Sequence, residues 1–409
     1  MIQAGLRRAA STGKTPQDAI DTSIGAQMTR LKFVHLGLGW IGDRGGGLER
    51  YQHGICTAHA RLGCDVTAWV QSRTEIVDEF DYKAIAFASP VEKRLRKLRS
   101  LGYLAEERFG VRDFIFVSHH ASVGGCLVDL CRRVPHVVHF HGPWADEATI
   151  EGAPWWKTTL QRRQERLAYH SASRIITLSR SFKQLVVERY GVSESLVHVV
   201  PGAIDAAMAD PGISRAEARQ QLGWPADRPI VLAMRRLVKR VGVDVLVQAI
   251  DRLIRDHKSA SDLLVMIGGT GPMQDDLKKC INDLGLQNNV RLLGFVPEEQ
   301  LSTAYRAADF SIVPTQSLEG FGLVTLESMA AGTPAIVTPV GSLPEVISPL
   351  CNSLILGGTS ASEIADGLYA IVRGQVETPN DDVCRRYVRD NYDWSVIGPR
   401  VLEVYRSAC

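Results

Sequence analysis

The stretch LKFVHLGLGWIGDRGGGLERYQHGICTAHARLGCDVTAWV, Leu31 to Val70, decides the fold. LKFVHLG reads as a buried strand, the glycine-rich run as a loop, LERYQHGICTAHARLG as an amphipathic helix and CDVTAWV as a second strand. Strand, helix, strand in so short a span is the unit of a parallel sheet covered by helices.

Working outward, DFIFVSH, HVVHFHG, RIITLS and SLVHVVPG continue the strand pattern, with helical stretches expected at 122–133, 157–169 and 180–190. The series stops near Pro201, and residues 201–229 concentrate Pro, Gly and Asp around one short helical pattern. A second series follows: PIVLAMR, DLLVMIGG, NVRLLGF, DFSIVPT and PAIVTPV as strands, with helices near 243–255, 273–284, 298–307 and 322–331. The expected organisation is a loose tail (1–28), an N-terminal Rossmann-like domain (29–200), a linker (201–229), a second Rossmann-like domain (230–390) and a closing helix (391–409). The fold class is therefore α/β, two doubly wound parallel-sheet domains facing a deep cleft.

A length of 409 residues suits two domains, and 45% hydrophobic against 22% charged residues is a globular balance. A net charge of +2 makes no case for nucleic acid, although EKRLRKLR (Glu92 to Arg99) and KTTLQRRQER (Lys157 to Arg166) are locally basic. Eight scattered cysteines without a Cys-x-x-Cys pair predict reduced thiols and a cytoplasmic setting. No apolar run is long enough to span a bilayer. The basic VEKRLRKLRSLGYL is a candidate for peripheral contact with anionic lipid at the inner membrane face, set against the reading of a solvated helix face.

Two glycine motifs compete for attention. GLGWIG, Gly37 to Gly42, fits the dinucleotide fingerprint and keeps an NAD(P)-dependent oxidoreductase open. Against it, the loop runs on through Gly45, Gly46 and Gly47, and VTAWVQS ends without the acidic residue that holds a ribose. Bare backbone ahead of a helix suits an anion at Gly46 and Gly47, and again at GGTGP with Gly269 and Gly271. In SLEGFGLVTLESM, Glu319 and Glu327 flank a Gly-Phe-Gly turn at an expected helix start near Phe321 or Gly322. The free amides there form an anion seat, with a carboxylate on either side to accept hydroxyls. That spacing suits a pyrophosphate with a sugar at one end and a ribose at the other. A surface helix with solvated glutamates fits this stretch alone equally well. MRRLVKRVG adds Arg235, Arg236, Lys239 and Arg240 on the same sheet edge, where they would neutralise a departing diphosphate. The absence of Asp-x-Asp leaves no evident metal requirement.

His119, His120, His139 and His141 stand at neighbouring strand ends, where a zinc site competes with a core role for His139 and a cleft-facing role for His141. HGPWADEATIEGAPWW offers Trp144 for stacking on an acceptor sugar, with Asp146 and Glu147 as polar partners.

Taken together, these residues resemble the retaining glycosyltransferases of family 4, of the GT-B fold, from Leu31 onward. The carriers are the E-x7-E pair Glu319 and Glu327 with GGLERY, HFHGPW, RRLVKRVG, GGTGP and LLGFVPEEQL in order. The resemblance implies a hexosyltransferase using a nucleoside-diphosphate sugar, expected to be a UDP-sugar, without cofactor or metal, and a glycan, lipid-linked or small-molecule hydroxyl as acceptor. It implies that Glu319 meets the hydroxyls of the transferred sugar, that the Phe321, Gly322 and Leu323 amides meet the phosphates, and that Gly320 belongs to the same donor site. Glu327 would hold the ribose, Arg236 with Lys239 or Arg240 the diphosphate, and Phe295 the base. Gly46 and Gly47 would face the donor, and His141 the anomeric carbon. Val241 replaces the usual lysine of that loop, and PGA, Pro201 to Ala203, replaces PNG. A non-catalytic sugar-nucleotide-binding protein, an epimerase and a glycan phosphorylase share the pattern.

Overall fold

The computed structural model describes residues 31–43, 46–76, 80–109, 114–124, 127 and 133–409. The 1–28 tail and Gly45 lie outside the described residues.

Among the described residues, twelve strands form two sheets. In the first, β1 (Lys32–Leu36), β2 (Asp65–Gln71), β3 (Lys83–Ala88), β4 (Ile115–Ser118), β5 (His136–Phe140), β6 (Arg174–Thr177) and β7 (Val197–Val199) take the order 3-2-1-4-5-6-7. In the second, β8 (Ile230–Met234), β9 (Leu264–Gly268), β10 (Val290–Gly294), β11 (Phe310–Val313) and β12 (Ala335–Val337) take the order 10-9-8-11-12. β1 pairs in parallel with β2 and β4, and β8 with β9 and β11. Each sheet is thus doubly wound, with strand order reversing beside β1 and beside β8. Central strands are apolar on both faces: every residue of β9 is buried.

The helices follow their apolar spacing. Helix Val243–Asp256 buries Val243, Leu246, Val247, Ile250 and Leu253, a stripe of one helical face. Its start is fixed by Gly242 at φ 77°, where a side chain would collide with the Pro314 carbonyl. Expected helices at 157–169, 180–190, 273–284 and 298–307 are Trp155–His170, Arg180–Tyr190, Gln274–Asp283 and Glu298–Ala307. The sequence reading passed over β3 and helices Ala361–Val372 and Asp381–Tyr392. The expected 122–133 helix is Ala121–Gly124 where described, with several of the following residues outside the description.

The described residues pack as two compact units. One ends at His139 and takes in Leu167–Ile175 and Gly398–Cys409, and the other comprises Phe140–Arg166 and Ile176–Ile397. The first unit is cored by Leu36, Trp69, Leu101 and Phe116, all essentially inaccessible. The second buries Ile230, Leu232, Met266, Tyr305 and Ala331 about β8 and β9.

Candidate active site

In an open parallel sheet, loops leaving the strand ends on either side of the order reversal diverge and leave a crevice. In the second sheet those loops follow β8 and β11. Arg235 is the first residue after β8, and Pro314 to Gly322 follow β11. The two loops meet through side chains: Arg235 Nη2 donates to Glu319 Oε2 at 2.5 Å and to Thr315 Oγ1 at 3.0 Å, while Thr315 Oγ1 donates to the same Oε2 at 2.9 Å.

Glu319 is 9% exposed. Burial opposes its ionisation, but the Arg235 guanidinium, the Thr315 hydroxyl and Arg240 outweigh it and hold the carboxyl below its ordinary range. The residue before it, Leu318, has φ 54°, the sole left-handed non-glycine among the described residues. Its carbonyl accepts from Arg240 Nη1 at 3.3 Å, and the Glu319 carbonyl accepts from the Ser342 amide at 3.2 Å. Gly341 must be bare there, because a side chain would strike that Glu319 carbonyl. Oε1 of Glu319 accepts no hydrogen bond among the described residues.

Helix Leu323–Ala330 starts on Gly322 at φ 76° with no side-chain cap. Thr325 turns its amide and hydroxyl back to the Gly322 carbonyl at 2.8 and 2.7 Å. The amides of Phe321, Gly322, Leu323 and Val324 donate to no protein acceptor among the described residues. They therefore remain as the open end of the helix. Phe321 lies in no strand, and its ring is buried against bare Gly202. Glu327, on the second turn, accepts from the Tyr305 hydroxyl at 3.1 Å.

In the basic loop it is Arg235 that grips Glu319, while Arg236, expected on the diphosphate, is 68% exposed and lies 3.7 Å from Glu151. Lys239 is outward and bonded to Asp244 at 2.5 Å. Val241 is buried, so the cation nearest the Glu319 loop from this segment, beside Arg235, is Arg240, which also lies 3.4 Å from Glu147. Sequence reasoning named Arg235 only within the cluster. Its position directly after a central strand was the available signal.

Gly269 and Gly271 are bare for a packing reason: side chains there would collide with the Arg235 and Leu237 carbonyls. Phe295 is 65% exposed beyond Gly294. Gly320 needs to be glycine because Phe182 and the His141 carbonyl close over it, which brings His141 to the Glu319 loop. Trp144 opens helix Trp144–Ile150. Asp146 is committed to Arg162 and Arg189, each at 2.8 Å. Beneath them Glu165, inaccessible to solvent, accepts the Ala145 amide at 3.3 Å, and burial pushes its carboxyl up to about 7.

In the first unit, Gly46 caps helix Gly47–Arg61 without a side chain. The Glu49 carboxylate lies over both Gly39 and Gly46, an acid that the sequence reading did not weigh and that opposes an anion at this turn. Asp43 ties the loop to the end of β2, accepting from the Arg73 amide at 2.6 Å and from the Thr74 hydroxyl at 3.0 Å. His139 has a core role: its ring nitrogens meet Tyr51 at 3.2 Å and Tyr405 at 2.7 Å. Its ring stacks on His119 at 4.7 Å, and His119 is itself bonded to His35 at 2.9 Å.

Two family models match in tandem: Glycosyltransferase Family 4 over residues 45–207 and Glycosyl transferases group 1 over 214–390. A D-inositol 3-phosphate glycosyltransferase of Catenulispora acidiphila is 29% identical over 300 residues, 71% of each chain. A GDP-mannose-dependent α-(1-6)-phosphatidylinositol monomannoside mannosyltransferase of Mycolicibacterium smegmatis is 27% identical over 61% of this chain and 66% of its own. The crystal structure of Anabaena HepE with UDP and glucose superposes with a TM-score of 0.73 at 19% identity, covering 92% of this chain and all of that one. The chain belongs to the group 1, family 4 glycosyltransferases and has their GT-B fold.

Proposed function

We propose that this transferase moves a hexose-type sugar from a UDP-sugar to a hydroxyl of a glycan, lipid-linked or small-molecule acceptor, with retention and without a metal ion. One observation carries the reading: an ionised, buried Glu319 with one oxygen fixed and the other open, beside four unbonded amides. The open oxygen accepts hydroxyls of the donor sugar, and the amides of Phe321, Gly322 and Leu323 receive the diphosphate. Glu327 takes the ribose hydroxyls. HepE holding UDP and glucose supports uridine as the base, and the GDP-mannose-dependent relative supplies the competitor to test against it.

In the step itself the anomeric carbon–phosphate oxygen bond breaks and the acceptor oxygen bonds to the same face. The acceptor proton passes to the departing phosphate oxygen, and Arg236 and Arg240 stabilise the charge that develops there. A thermal-shift screen of UDP, GDP and ADP with their sugars tests the donor. Stabilisation by UDP-hexoses above the others is expected, at ~3 kcal/mol for ligand at a hundred times its Kd. A larger shift with GDP-mannose removes the uridine assignment. No shift with any nucleotide removes the donor site.

A further inference from the structure

The first three turns of helix Trp155–His170 are built inside out, whereas its last turn buries Ala168 and Tyr169. A surface helix ordinarily buries its apolar stripe and shows water its polar one. Here Thr158, Gln161 and Glu165 are the buried residues of the first three turns, while Trp155 is 78% exposed, Trp156 60% and Leu160 46%. The inward polar face has a local purpose, since Glu165 holds the start of the neighbouring helix through the Ala145 amide. The outward apolar residues have no such partner within their unit. Trp156, Leu160 and Arg163, spaced i, i+4 and i+7, share one strip of the helix surface.

Charge says what covers this face. Lys157, Arg163 and Arg166 are exposed on the helix, and its one acid, Glu165, is buried. Glu151, just before the helix, faces Arg236 and Arg240. We infer that this face docks on an anionic lipid surface, with Trp155, Trp156 and Leu160 entering the headgroup boundary and Lys157, Arg163 and Arg166 meeting anionic headgroups. Tryptophan settles at that depth, where its ring is apolar and its N–H is hydrated, and a basic amphipathic helix lies in the plane of the surface. Pairing with a second copy is disfavoured, because a two-fold contact through this face sets like charges together. The inference stands apart from the donor assignment, since it concerns binding and needs no turnover.

The test is co-sedimentation with vesicles of phosphatidylcholine alone and of phosphatidylcholine with phosphatidylglycerol, at low and high salt. Sedimentation with the anionic vesicles, falling at high salt, is expected. Lys157→Gln, Arg163→Gln and Arg166→Gln together should weaken it about a hundredfold, a factor of about five per charge. Trp155→Ser, Trp156→Ser and Leu160→Ser together should abolish it. These residues are exposed, so an unchanged Tm and an unchanged nucleotide-induced shift verify that the variants are folded. Wild-type protein left in the supernatant, equal binding to both vesicle types, or unaltered binding by the serine variant overturns the inference. So does light scattering that finds a dimer which the serine variant dissociates.

Discussion

Each unit buries a polar cluster, and the two clusters solve the cost of burial in opposite ways. In the first unit burial holds His35, His59, Tyr51 and Tyr405 in their neutral forms, and these side chains pack with His119 and His139 through the hydrogen bonds His35–His119, Tyr51–His139 and His139–Tyr405 and through ring contacts. In the second, Glu319 stays charged because Arg235 stands on it. Neutral networks stabilise and specify a core. A buried ion pair gives little net stability, since desolvation offsets most of its attraction, so its presence points to chemistry instead. The comparison separates a cluster that holds the fold from the one proposed to act on the donor.

Acid should break it most strongly. His59, His120 and His136, all in the first unit, are held down to about 4 by burial, and burial with the nearby His59 pushes His35 well below its usual range. A histidine depressed in the folded state takes up its proton on unfolding. Stability is therefore full above about pH 6.5 and is lost as pH falls toward 4, with a slope of ~1.4 kcal/mol per pH unit for each such histidine. Denaturant titrations at pH 7, 5.5 and 4.5 measure this. A flat profile over that range contradicts the neutral network, because Glu319 itself, held low, titrates only further down.

Removing the cation from the charged cluster comes next. Arg235→Met strands a buried carboxylate and should cost about 3 kcal/mol. Adding Glu319→Gln should restore most of the stability and none of the activity. If activity returns with stability, the pair is structural and the contrast between the units fails. Tyr405→Phe probes the neutral side: it removes the hydroxyl that bonds His139 Nε2 at 2.7 Å, at about 1 kcal/mol in chemical denaturation, with turnover unchanged. The smallest change is expected from Glu327→Gln, which keeps the Tyr305 hydrogen bond but weakens the ribose contact. Donor KM should rise about tenfold with little change in kcat.

Much of this was legible in the sequence. Buried parallel strands show themselves as apolar runs, and glycine-led helix starts as punctuation, so both doubly wound sheets were readable from Leu31 onward. Strand β3, KAIAFA, was missed because half-buried alternation gives a weak signal at a sheet edge. Helix Ala361–Val372 carried a readable sign, the reciprocal Ser360 and Glu363 cap, and was passed over. At the site, Glu319, Glu327 and the helix start stood out by spacing. Which arginine faces Glu319 did not, because neighbouring residues after a strand point to opposite sides and sequence does not say which side is inward. The Glu49 carboxylate over the first glycine loop was equally hidden, since it depends on one side chain's direction.

Leu318 carries a consequence for any attempt to improve heat resistance. Its left-handed backbone costs about 1–2 kcal/mol relative to a glycine in the same place. A screen that rewards survival at high temperature should therefore enrich Leu318→Gly. The same change frees the peptide that aims the next carboxylate, so the hardiest clones would be the poorest sugar donors' hosts.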